Sequence, residues 1–211
     1  MEHPQPAHEE VIAGRGRRVA GRDALRAALL LLLLLAGGAA GAGHGMASPE
    51  APGEAHAVSK IYWVDRNDNA SGEIWRMNAD GSGAEIVVNG LTNPRSVALD
   101  PTGNRMYWVD RTDDLLGRAN LDGTSANLNF CSGLSTPDDL VLDPGNGWVY
   151  WTEPTANRIR RSSMNSCNPQ TVVDAADGVN DPVGVALDDA GRIYWTEFTN
   201  GNVKRANTDG T

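Results

Sequence analysis

A chain of 211 residues with 27 acidic and 18 basic side chains holds one domain, or a small domain behind a leader. Its formal charge of −9 repels phosphate backbones and anionic lipid, which argues against nucleic acid and membrane surfaces as partners. No stretch after residue 60 keeps a 3.6-residue apolar period, and the 24 Gly and 11 Pro suit short strands and tight turns rather than long helices.

The N-terminal part reads as a targeting segment. Arg15, Arg17, Arg18, Arg22 and Arg26 form a basic stretch, Ala27 to Ala36 is an almost pure Leu run, and small residues such as Ala40 and Ala42 follow. Residues 1–42 are therefore expected to be a signal peptide, with the mature chain beginning between Gly41 and Ala47 and exported. Even Ala27 to Ala42 falls short of the roughly 20 apolar residues needed to cross a bilayer, so no membrane insertion is expected after cleavage. Residues 43–59 are small, polar and Pro-containing, as a flexible linker would be.

From Ser59 onward the chain repeats. Tyr62-Trp63-Val64-Asp65, Tyr107-Trp108-Val109-Asp110, Tyr150-Trp151-Thr152-Glu153 and Tyr194-Trp195-Thr196-Glu197 lie 45, 43 and 44 residues apart. A second element precedes three of them: Ser96 to Asp100, Asp139 to Asp143 and Gly184 to Asp188, each shortly after a Pro (Pro94, Pro137, Pro182). A third element follows all four, at Ile74 to Met77, Leu116 to Ala119, Ile159 to Ser162 and Val203 to Ala206, and runs into Asp80-Gly81, Asp122-Gly123, Asn165-Ser166 or Asp209-Gly210. Apolar and β-branched runs of this length, separated by turn residues, predict four short strands per unit, with Asp-Gly supplying the tight turn between the third and fourth. Consecutive apolar positions in the first two strands require cover on both faces. Four-stranded sheets of about 44 residues stacked around an axis make a β-propeller.

These residues resemble the low-density lipoprotein receptor class B, or YWTD, repeats over residues 60–211. The resemblance implies a six-bladed all-β propeller, here about three and a half repeats, with the Tyr-Trp strand second in each blade. It also implies that the motif's acid ties neighbouring blades together, a role falling on Asp65, Asp110, Glu153 and Glu197. Two of these are Glu, and Val64 and Val109 stand where the pattern has Thr.

Residues needed once per blade build blades, so Tyr62, Trp63, Tyr107, Trp108, Tyr150, Trp151, Tyr194 and Trp195, with the four acids, are expected to be structural. A binding site is expected where the units differ, in the loops after the second strand. Those loops contain Arg66, Asp68, Arg111, Asp113, Asp114 and Phe198, a mixture of charge with one large apolar side chain that suits a protein or peptide ligand.

Catalytic signals are sparse. His44 and His56 lie in the linker, so no His-centred triad or zinc site is available in the repeats. Asp65 to Asn69 superficially resembles a calcium loop, but Ala70 stands where such a loop needs Gly. Asp138 and Asp139 open a predicted strand near the axis and alternate faces, so they need not converge on one metal. The rival reading is an enzyme resembling gluconolactonase, a metal-dependent six-bladed propeller whose ligands would fall just after each Pro. Those positions are Arg95, Asp138 and Val183, and one of the three can ligate. A purely architectural cell-surface role is a third reading. The expectation is a non-catalytic binding module with no cofactor and no metal.

Cys131 and Cys167 would lie toward the outer rim of adjacent blades and can bridge if their Cα atoms come within about 7 Å. Asn69-Ala70-Ser71 is a glycosylation acceptor in a eukaryotic secretory host. The chain opens on a second strand and stops at Asp209-Gly210-Thr211, inside a turn. An open arc with uncovered blade faces, prone to self-association, is the expectation.

Overall fold

The computed structural model describes residues 12–14, 59–66 and 71–211. The leader (apart from residues 12–14), the linker up to residue 58 with His44 and His56, and residues 67–70 with Asp68 and the glycosylation acceptor Asn69 lie outside the described residues.

The described chain is almost entirely β. The first sheet holds β1 (Ile12–Gly14), β2 (Lys60–Asp65), β3 (Gly72–Asn78) and β4 (Glu85–Leu91). The second holds β5 (Pro94–Asp100), β6 (Arg105–Asp110), β7 (Leu115–Asn120) and β8 (Asn127–Ser132). The third holds β9 (Leu140–Asp143), β10 (Trp148–Glu153), β11 (Arg158–Ser163) and β12 (Gln170–Val173), and the fourth β13 (Pro182–Leu187), β14 (Arg192–Glu197) and β15 (Val203–Asn207). Strands are hydrogen-bonded in chain order within each sheet, and the Tyr-Trp strand is second in every one. This is the all-β propeller architecture expected from the repeats.

Pairing in the second to fourth sheets is antiparallel throughout. The first sheet differs at its inner edge, where β1 runs parallel to β2 and pairs Ile12 with Ile61 and Gly14 with Trp63. The repeat pattern gives residues 43–59 no strand for that edge. The edge position is filled from inside the segment read as leader.

The alternation of side chains along a strand explains why Tyr and Trp adjoin in every unit. They point to opposite faces of their sheet, so each Tyr meets the Trp of the next. Tyr62 shares a core with Trp108, Tyr107 with Trp151, and Tyr150 with Trp195. Three inter-sheet cores result, and Trp108 and Trp151 within them are completely buried. Burying one such aromatic is worth about 2–3 kcal/mol, so these inter-sheet contacts contribute substantially to stability.

The residue across from each Trp is fitted to it. Trp75 stacks on Trp63 with ring centroids 6.0 Å apart. Opposite Trp108 stands Gly117, where an added Cβ would lie 2.2 Å from the indole ring. Arg160 lies opposite Trp151 with its guanidinium 6.0 Å from the ring centre, and Lys204 lies opposite Trp195. The two sheets with Glu in the motif are thus the two with a base at this position. Lys204 Nζ is 3.0 Å from Glu197 and Arg160 Nη1 is 3.6 Å from Glu153.

The Asp-Gly turns adopt the predicted conformation. Gly81, Gly123 and Gly210 have φ of 86°, 84° and 92°, values that favour glycine. The carboxylate of Asp80, Asp122 or Asp209 accepts from the backbone N–H two residues on. The third sheet has no Asp-Gly step. There Cys167 follows the turn and bridges to Cys131 of β8, with Cα atoms 5.2 Å apart, joining the second and third sheets covalently.

Candidate functional site

One end of the sheets carries the loops that follow the second strands, together with the links that enter the first strands. Neighbouring loops are laced to these links by side chains. Thr92 donates to Asp113 at 2.7 Å, and the Thr136 backbone N–H to Asp114 at 2.6 Å. The hydroxyl of Thr136 bonds that of Thr155 at 2.6 Å, Asp181 N–H donates to Asn157 at 2.7 Å, and Thr199 to Asp181 at 2.8 Å. The loops after β6, β10 and β14 are thus tied to the links beside them before any ligand arrives, which lowers the entropic cost of ordering them on binding.

This lacing gives Asp113 and Asp114, expected as candidate ligand contacts, a structural part as well. Asp114 sits at φ 53°, a left-handed conformation that Asp tolerates, and both its carboxylate and its carbonyl hold the link into the third sheet. Arg66 is exposed at the end of β2. Phe198 is 79% exposed, although its backbone N–H is tied to the Asp181 carbonyl.

Near the axis, Arg95 and Arg111 converge on Asp138. The carboxylate of Asp138, with no solvent exposure, takes Arg95 Nε at 2.7 Å and Arg111 Nη1 at 3.1 Å on the same oxygen. Arg95 comes from β5 and Arg111 from the loop after β6, so one acid of the third sheet draws in two bases of the second. Asp139 turns the other way and accepts from Val185 N–H of the fourth sheet at 3.1 Å. Thr152 donates to the Val183 carbonyl at 2.9 Å. Adjacent Asp residues thus fasten a sheet to both neighbours because they alternate faces.

At the positions where a lactonase-like metal site would place its ligands, Arg95 is itself a cation, Val183 offers no side-chain donor, and Asp138 is engaged by two guanidinium groups. Among the described residues no group of three His, Cys, Asp or Glu side chains could hold a metal ion.

The motif acids divide. Asp110 accepts from the backbone N–H groups of Thr92 and Asn93, at 2.8 and 3.0 Å, and of Thr112 and Asp113, tying the link between the first and second sheets to β6. Glu197 does the same for Asn180 at 2.9 Å. Burial would raise the Glu197 carboxyl, but the Asn180 N–H, the Lys204 ammonium and the amides of Asn200 and Asn202 outweigh it and pull the pKa down to about 2. Glu153 instead accepts from Trp151 Nε1 at 2.9 Å and Arg158 Nε at 2.6 Å within its own sheet. The shorter Asp110 reaches the link but not the indole above it, and the buried Trp108 Nε1 has no partner among the described residues.

A further repeated residue went unassigned in the sequence. Arg76, Arg118 and Arg161 each donate to a backbone carbonyl at the turn of the following sheet: Leu121 at 3.1 Å, Met164 at 3.0 Å and Thr208 at 2.9 Å. The hydroxyls of Tyr62 and Tyr107 reach the same Leu121 and Met164 carbonyls at 2.9 Å. The signal was an Arg recurring in the third element. Its acceptor, a backbone oxygen, leaves no mark in a sequence.

No family model matches the chain, and no curated protein matches it. Among solved structures, a chain of a nidogen/laminin complex is similar with a TM-score of 0.65 and 26% identity, over 72% of this chain and 57% of that one. A protein from Agrobacterium tumefaciens assigned as TolB gives 0.52 at 11% identity over 68% and 59%. A gluconolactonase from Xanthomonas campestris gives 0.51 at 16% over 63% and 50%. The chain thus spans between half and three-fifths of the length of these neighbours, and the last two likenesses speak to fold alone.

Proposed function

We propose that this chain is an exported YWTD-type propeller that binds a protein or peptide through the face carrying Arg66, Arg111 and Phe198, and that it is not an enzyme. The observation that carries the reading is an almost fully exposed Phe on a loop face otherwise held rigid by side-chain hydrogen bonds. An exposed aromatic on a rigid scaffold costs little entropy to bury and makes an effective anchor. The neighbour with the highest TM-score of the three belongs to a protein–protein complex, which supports the same reading. Export is supported by the Arg-rich start, the Leu run and the disulfide, a bond that persists in oxidising compartments.

The test is selection of displayed peptides on the immobilised chain, followed by affinity measurement on Phe198→Ala and Arg111→Ala. Phe198→Ala is expected to weaken selected peptides by about tenfold or more, the cost of losing one aromatic anchor. Peptides that bind both variants as well as the parent would place the site elsewhere. The lactonase alternative is tested with simple lactones in the presence of calcium, zinc or manganese. No turnover is expected, and metal-dependent turnover abolished by Asp138→Ala would establish the enzyme.

A further inference from the structure

The buried Asp138 faces two bases. Its carboxylate has no exposure, and Arg95 and Arg111 both bond its Oδ1, through Nε at 2.7 Å and Nη1 at 3.1 Å. Among the described residues two positive charges thus stand against one negative charge, in a chain whose total is −9. The acids around the pair are engaged elsewhere. Asp110 accepts from backbone N–H groups, Asp113 from Thr92, Asp114 from the Thr136 N–H, and Asp139, which turns the other way, from the Val185 N–H.

The two guanidinium groups keep further donors. Arg95 uses Nε and Arg111 uses Nη1 on Asp138, and their remaining nitrogens have no hydrogen bond among the described residues. Their side chains are 23% and 35% exposed. Asp138 therefore fixes the orientation of each fork while part of each stays open to solvent. A planar fork held in one orientation suits a carboxylate, which accepts two parallel N–H donors. An excess of one positive charge matches that ligand, whereas a phosphate monoester brings about −1.5 to −2 and would leave the site negative.

Place in the repeat links this pair to Phe198. The residue after the motif acid is Arg66, Arg111, Pro154 or Phe198 in the four units. The Arg111 N–H bonds the Asn93 carbonyl and the Phe198 N–H the Asp181 carbonyl, each at 3.0 Å, so the same backbone contact seats both residues. In the sheet between them the position holds Pro154, which is buried. The face thus offers cations at the second sheet and an exposed aromatic at the fourth.

We propose that Arg95 and Arg111, oriented by Asp138, form a carboxylate subsite, so that a peptide on this face pairs an acidic group there with an apolar side chain on Phe198. The inference rests on the peptide-binding reading of the face and gives the chemistry that the face selects. Asp138 is a positioning residue, acting through the two forks. The carboxylate belongs to an Asp or Glu side chain or to a C-terminus, since both present the same two oxygens.

The test selects random linear peptides, displayed with free C-termini, on the immobilised full chain. Enriched peptides are remade with Asn or Gln in place of Asp or Glu, with an amidated C-terminus, or with phosphoserine in place of the acid. Their affinities are measured on the parent, Arg95→Gln, Arg95→Lys and Phe198→Ala. Neutralising the carboxylate is expected to weaken binding to the parent about tenfold or more, and to change little on Arg95→Gln, whose coupling partner is gone. Whether side-chain neutralisation or amidation produces that loss identifies which carboxylate binds. Arg95→Lys keeps a charge beside Asp138 without the fork and is expected to fall between the parent and Arg95→Gln. It carries the comparison if circular dichroism shows Arg95→Gln unfolded. Peptides that lose affinity on Phe198→Ala yet are indifferent to their own acid and to Arg95 overturn this proposal and leave the peptide-binding reading standing. A phosphoserine peptide bound more tightly than its acidic parent overturns the assignment to a carboxylate. A selection that enriches no peptide overturns both the proposal and the reading beneath it.

Discussion

Cys167→Ser breaks the link between the second and third sheets at little cost to packing, because Cys167 is exposed while Cys131 is 2% exposed within the second core. The bridge closes a segment with a sequence separation of 36. The chain-entropy treatment of a loop of this length gives about 4 kcal/mol of stabilisation, which sets an upper limit because the unfolded chain is never a free coil. For a domain of this size each kcal/mol moves Tm by about 2–4 °C, so Cys167→Ser is expected to melt below the parent by up to about 8–16 °C. Calorimetry of the two proteins with and without a reducing agent is the assay. Reduced parent should melt together with Cys167→Ser, and the variant should not respond to reductant. Cys131→Ser should fall lower still, because it also leaves a hydroxyl among Leu116, Leu134 and Met164, at about 1–3 kcal/mol for an unsatisfied buried group. A parent insensitive to reductant, or a Cys167→Ser variant melting within about 2 °C of it, would refute the reasoning.

Gly117→Ala should destabilise by more than an ordinary Gly-to-Ala change in a strand, about 1–3 kcal/mol, because its methyl meets the Trp108 ring at 2.2 Å; a denaturant melt with altered Trp fluorescence checks it. Arg118→Ala should lower stability by about 1 kcal/mol through loss of one of the two hydrogen bonds on the Met164 carbonyl, the Tyr107 hydroxyl keeping the other, whereas Arg205→Ala, whose side chain is exposed, should leave the melting of the chain nearly unchanged. Acid should act through Glu197 and Asp188, whose carboxyls lie at about 2 instead of 4.5 and 3.8. Because the folded-state values are depressed, their stabilisation is present above pH about 4.5 and is lost as pH falls toward 2. Urea melts at pH 7, 4 and 2.5 should show that loss, and Glu197→Gln should reduce it.

The sheets were readable because their cores are built from a pair of side chains that must recur. Tyr-Trp at a 44-residue interval states a strand buried on both faces, and Asp-Gly states a turn. The disulfide could be suggested from the places of Cys131 and Cys167 in adjacent units, but only the coordinates pair them. Much of the candidate site was less readable, because polar side chains on its loops answer to backbone groups. Asp113 and Asp114 look like solvent-facing loop acids, yet they hold Thr92 and Thr136. Asp138 looks like half of an acidic pair, yet its partners Arg95 and Arg111 stand 43 and 27 residues away with no shared motif to connect them. The match between Glu in the motif and a base across the sheet at Arg160 and Lys204 was present in the letters. Its meaning needed the register of β10 with β11 and of β14 with β15. Phe198 was legible as the one large apolar side chain among the candidate loop residues, and the structure leaves it exposed.

The central claim is that the chain works by binding through its Phe198 face, and the most direct measurement is the affinity of a peptide selected on the parent for three proteins: the parent, the double variant Phe198→Ala with Arg111→Ala, and a control altered at the opposite end of the sheets, Asn146→Ala. The account predicts binding abolished in the double variant while it remains folded, its melting temperature lowered by the loss of one of the two bases on the buried Asp138, and binding unchanged in the control. Equal affinity for all three, or loss of binding only in the control, would contradict it.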